Sequence, residues 1–274
     1  MSRCGRNHLA VLAVALAVGC AANAVRPPSP ATAIRIEDEV ATPAPPNERY
    51  YNVLFGSQNT PKRARYTHSW GTVVKATCSP DKSEPDLEVH TISWMPATLE
   101  IHPLRFWVEP GVNLTLEFTL REMLENNHER VSMWGPYEIH HGLYHRFVTQ
   151  RCFLESGQIG YQAIDTVGEA ARCGNGSDCI HAMTDMDPLF DRTEYPLSRF
   201  GESATRHVVR QIMTRPIVIN PPCTHDWLIC RLGLDQYPIV RRTYRGPVVP
   251  FSVEAALDYA ANAEAGNRRR RILR

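Results

Sequence analysis

Six prolines, Pro27, Pro28, Pro30, Pro43, Pro45 and Pro46, stand among alanines and charges ahead of residue 48, and they limit where a folded unit can begin. Such a stretch has almost nothing to bury and favours an extended chain, so residues 25–47 read as a spacer. Before it, Arg3 and Arg6 precede an apolar run at residues 9–18 and then small residues to Ala24. Charge, apolar run and small residues in that order make an export signal over residues 1–24. The run falls well short of the roughly 20 apolar residues needed to span a bilayer. Residues 48–246 then form one domain large enough for a sufficient core, followed at 247–274 by a helix and a basic tail.

Two cleavage rules compete at the signal. Ala22-Asn23-Ala24 fits the small-x-small pattern, whereas Ala17-Val18-Gly19-Cys20 resembles a lipoprotein lipobox with Ala17 in place of the usual leucine. The expected location is the periplasm or outer cell envelope. The second rule adds a lipid anchor on Cys20 as the membrane partner. The net charge of +1 says nothing about partners but hides an asymmetry, since Arg268, Arg269, Arg270, Arg271 and Arg274 crowd the C-terminus; the tail reads as a solvated end, and no specific nucleic-acid binding is expected.

Of eight cysteines, Cys78, Cys152, Cys173, Cys179, Cys223 and Cys230 belong to the domain. An even number in an exported chain suggests disulfides, and Cys173/Cys179 and Cys223/Cys230 are close enough to close small loops. Connectivity is open.

The pattern predicts an α+β fold, a small antiparallel sheet with helices packed on it. A strand is expected at 50–56, and a hairpin from 66–77 and 87–94 about a Ser79-Pro80-Asp81-Lys82 turn. Asn113 reads as the cap of a helix to 126, and Pro136 as the start of a longer helix through Tyr144, Phe147 and Cys152. Strand returns at 159–164, a polar loop spans 168–178, and helices follow at 179–184, 203–214, 224–232 and 252–264.

The segment richest in chemistry is Gly160-Tyr161-Gln162-Ala163-Ile164-Asp165, a loop, then Asp178-Cys179-Ile180-His181. A cysteine at the first turn of a helix meets unpaired N–H groups that stabilise a thiolate. Asp178-Cys179-Ile180-His181, with His68 opening the hairpin and His90 on its partner strand, resembles the permuted papain-like superfamily of lecithin:retinol acyltransferases and cell-wall cysteine peptidases. The resemblance implies a papain-like permuted arrangement, Cys179 as nucleophile, His68 or His90 as base, and Tyr161 and His181 beside the substrate. Asp178 departs from the usual asparagine, and its charge would raise the thiol pKa. The runs Tyr51-Asn52-Val53-Leu54-Phe55-Gly56-Ser57-Gln58 and Thr224-His225-Asp226-Trp227-Leu228 resemble exported planctomycete-type proteins, a likeness that supplies no activity.

The implied function is an exported cysteine hydrolase or acyltransferase on a wall-peptide or lipid-acyl substrate, without cofactor or metal. The rival is a non-catalytic envelope binding or scaffolding lipoprotein, with Cys179 bonded to Cys173. Cys179, His181, Cys223 and His225 are four candidate zinc ligands, but the Cys-x-His spacing on a helix turns the side chains apart. His140, His141 and His145 read as surface histidines of the long helix.

Overall fold

The computed structural model describes residues 44–186, 200–213, 218–219, 223–243 and 248–250. The export signal, Cys20, residues 25–43 of the spacer, the helix expected at 252–264 and the basic tail lie outside the described residues.

The strands, in chain order, are β1 (Glu48–Gln58), β2 (Thr67–Thr77), β3 (Asp86–Ile92), β4 (Trp94–Pro96), β5 (Gly111–Asn113), β6 (Arg130–Ile139), β7 (Gly160–Tyr161), β8 (Gly176–Ser177), β9 (Ile239–Arg242) and β10 (Val248–Pro250). The helices are α1 (Leu116–Arg121), α2 (His141–Glu155), α3 (Gly168–Cys173), α4 (Cys179–Thr184), α5 (Glu202–Met213) and α6 (Trp227–Arg231). One sheet, ordered β10-β9-β6-β1-β2-β3, organises the domain. Its strands pair antiparallel except for β6 and β9, which run parallel, so the class is α+β with a mixed sheet.

β1 lies inside the sheet and is buried over almost its whole length, because helices cover both faces. Successive side chains of a strand point to opposite faces, and the two cores follow that alternation. Leu54 and Val73 face Leu143, Phe147, Met183 and Val208 on one side. Val53, Phe55 and Trp70 face Leu120, Met123, Ile229 and Leu234 on the other.

The first face is locked by α5. Glu202 is buried and accepts from Arg130 Nε and Nη2 at 2.8 Å each, from Ser132 Oγ at 2.6 Å and from Arg242 Nη2 at 2.9 Å. One turn on, Thr205 Oγ1 lies 3.0 Å from Phe55 O and 2.9 Å from Ser69 Oγ. This approach requires Gly56, since a Cβ there would fall 2.4 Å from Thr205 Oγ1.

Several expectations need correction. Pro136 opens no helix: it sits within β6, where the pairing register with β1 shifts between Asn52 and Leu54, a setting in which a strand tolerates proline. The helix instead starts at His141. Asn113 ends β5 and accepts from Ser93 N, while Thr115 caps α1 through its bond from Phe118 N. The expected loop at 168–178 contains α3 and β8, and the strand expected at 159–164 shortens to β7.

Candidate active site

α4 starts where the sequence places it, because Asp178 caps it: Oδ1 accepts the N–H groups of Ile180 and His181, both at 2.8 Å. The helix packs on β2 at Gly71, where a Cβ would lie 3.3 Å from Met183 Sδ. β3 stops pairing with β2 at Gly71–Ile92, so the next part of β2 presents an open edge. There the N–H of Ser69 meets the sulfur of Cys179, which also receives its own backbone N–H. These two donors favour a thiolate, but burial and the Asp178 charge outweigh them and push the thiol well above its ordinary value. The resting Cys179 is a neutral thiol.

His181 stands between two carboxylates. Its Nδ1 is 2.7 Å from Asp165 Oδ1 and 3.1 Å from Asp178 Oδ2, and all three residues are buried. Burial alone would depress this imidazole. The charges of Asp178 and Asp165, with their hydrogen bonds, override it and hold the group well above its usual range. The remaining carboxylate oxygens are fixed by backbone: Asp178 Oδ1 by the helix N–H groups, and Asp165 Oδ2 by Asp178 N at 3.3 Å. His181 Nδ1, Asp165 Oδ1 and Asp178 Oδ2 lie within 4.8 Å of one another, so this trio could hold a divalent cation in place of the shared proton.

Above the trio is a small pocket of about 110 Å³ that opens to solvent. Thr67, Tyr161, Thr166, Asp178, Cys179 and His181 form its polar part, and Ile101, Pro103, Ala163, Ile164 and Phe200 are among its apolar walls. The hydroxyl of Tyr161 is held well above its ordinary pKa by burial, then by Cys179 and Asp178.

The structure therefore brings Cys179, Tyr161 and His181 to one pocket and leaves both proposed bases outside it. His68 projects to the opposite face of the sheet from Ser69, stacked 5.4 Å from Trp70 with Nε2 2.9 Å from Ser93 Oγ. It is fully buried, and burial pushes it down to about 3, so it is neutral. His90 is held by Glu88 and Arg151 Nη1, each at 2.8 Å, beside the ring of Tyr144, and none of these lines the pocket. Cys173 and Cys179 are separate thiols, with Cys173 exposed. The four-ligand zinc set does not assemble: His225 packs on Tyr51, whose side chain joins the core on the face away from α4.

Asp165 is the residue that sequence reasoning passed over. It sits four residues beyond Tyr161, and only the fold shows that the intervening loop returns it under His181. Comparison with protein-family models, with curated proteins and with solved structures finds no match for this chain.

Proposed function

We propose that the pocket binds a single-chain amphiphile of the cell envelope. The ligand's apolar body lies along Ile101, Pro103, Ala163, Ile164 and Phe200, and its polar end meets Thr67, Tyr161 and the Asp178–His181 pair. The division of the lining into apolar walls and a few convergent polar groups carries this reading, since that composition characterises small-molecule sites. Calorimetry with a medium-chain acyl amide should give binding with a negative heat-capacity change, as expected when apolar surface is buried. Ala163→Trp, which fills the wall, should abolish it. Equal affinity in wild type and Ala163→Trp would contradict the reading.

A second reading, an acyl hydrolase or acyltransferase, is favoured by the place of Cys179, which lines the pocket at the first turn of α4. In it the sulfur attacks the substrate carbonyl, the thiol proton passes to the departing amine or alcohol, and water or an acceptor amine releases the acyl group. Because the resting thiol is neutral, its proton must leave with substrate bound. A mass increase on Cys179 equal to the acyl group, absent in Cys179→Ala, is the expected sign. Turnover undiminished in Cys179→Ala would exclude it.

A further inference from the structure

The pocket opens beside the most exposed large apolar side chains among the described residues. Leu104, Phe106 and Trp107 are 81%, 54% and 58% exposed, on the loop whose earlier residues Ile101 and Pro103 line the pocket. The loop is braced. Phe106 O accepts Glu169 N at 2.8 Å, and Val108 N donates to Glu169 Oε2 at 3.0 Å. Gly168, at φ +70°, allows the close approach, since a Cβ there would lie 2.3 Å from Phe106 O. Arg105 pairs with Glu109, and its guanidinium sits 5.4 Å from the Trp107 ring. Held in this way, the three side chains point outward with their backbone fixed.

Across the rim runs a basic segment. Lys62, Arg63 and Arg65 are exposed, and the adjoining Ala64 and Thr67 line the same pocket. Lys62 Nζ lies 4.3 Å above the ring of Phe200, another wall residue. The loop's own exposed acid, Glu100, stands 3.6 Å from His102 Nε2. An aromatic and aliphatic wedge next to cations, around the mouth of an apolar pocket, matches an interface with an apolar interior and anionic headgroups.

We propose that this rim docks on an anionic lipid bilayer, with Leu104, Phe106 and Trp107 entering the interfacial layer and Lys62, Arg63 and Arg65 against the headgroups. What passes from that surface into the pocket rests on the amphiphile reading; the docking itself does not.

The test uses the full chain carrying Trp227→Phe, with phosphatidylcholine vesicles containing increasing phosphatidylglycerol. Trp70, Trp94 and Trp134 are buried, so the fluorescence change reports Trp107. On anionic vesicles, Trp107 emission should shift to the blue and be quenched by brominated acyl chains. Vesicle partitioning, read by co-sedimentation, should fall about 30-fold or more in Leu104→Ser/Phe106→Ser/Trp107→Ser. It should fall about fivefold for each of Lys62→Gln and Arg65→Gln. Ratios are taken at lipid concentrations where wild type is only partly bound, so that an N-terminal contribution common to all variants does not saturate the comparison. Trp107 that stays water-exposed with vesicles present, or partitioning unchanged in the triple variant, overturns the proposal. So does binding indifferent to phosphatidylglycerol, or a wild-type dimer that becomes monomeric in the triple variant. The Trp107 signal is read on intact loop sequence, so misfolding of the triple variant would not shield the proposal. Ligand binding in the pocket, measured without vesicles, stands or falls separately.

Discussion

Burial keeps Cys179 a neutral thiol, and the charge of Asp178 adds to that effect. Asp178 must accept hydrogen bonds to start α4, yet its charge opposes ionisation of the neighbouring thiol. Asp178→Asn keeps an oxygen for the cap and removes the charge. Iodoacetamide labelling of Cys179, resolved by mass spectrometry, should then reach half-maximal rate at lower pH than in wild type, while exposed Cys78 and Cys152 keep their profiles. An unchanged Cys179 profile would mean that burial alone sets the thiol. Another carboxyl works against the fold at neutral pH: Glu129 is buried, its Oε2 has no hydrogen-bond partner among the described residues, and burial pushes its pKa up to about 7. A raised carboxyl pKa means that the folded chain binds more protons than the unfolded one, so stability falls as pH rises through the window from the ordinary value of 4.5 to about 7. Glu129→Gln should stabilise by about 3 kcal/mol at pH 8 and by almost nothing at pH 4, read from urea unfolding. Equal gains at both pH values would contradict this account. At this scale the sequence identified Cys179, Tyr161 and His181 as neighbours, because they sit on one short strand–loop–helix segment. It misassigned His68, since one-residue alternation along β2 sends His68 and Ser69 to opposite faces, and a lone strand does not reveal which face meets α4.

Among the elements, α5 positions the pocket, because Phe200 and Gly201 line it and the helix that follows is tied to the sheet through Glu202. Burial would raise this carboxyl, but the hydrogen bond and charge of Arg130 and the charge of Arg242 keep it below its usual range. Glu202→Gln leaves two cations facing a neutral amide in a buried setting, which should cost about 3–5 kcal/mol. Loss of less than about 1 kcal/mol in denaturant unfolding would show that the network contributes little. α4 and α5 were legible from the local sequence pattern. β6 was not, because Pro136 signals a helix start more strongly than Val131 and Met133 signal a strand, and only pairing with β1 settles the matter. The parallel partner β9 was equally hidden, since nothing local encodes a strand's neighbour across more than 100 residues.

For the whole molecule, the sheet is a partition: one face carries α2, α4 and α5, with the pocket at its open edge, and the other buries His68 within an apolar core. The α+β class was readable from hairpin and helix patterns, whereas the mixed order of the sheet and the apolar pocket rim came only from tertiary packing. An amphiphile seated in the pocket would cover Cys179. Cys179 itself reports on this, so the most direct measurement is its alkylation rate at pH 9, site-resolved by mass spectrometry, with and without a medium-chain acyl amide. Occupancy should slow Cys179 labelling at least about tenfold in wild type, leave Cys78 unchanged, and give no protection in Ala163→Trp. Cys179 labelling that is indifferent to the ligand, or equally protected in Ala163→Trp, would contradict the account.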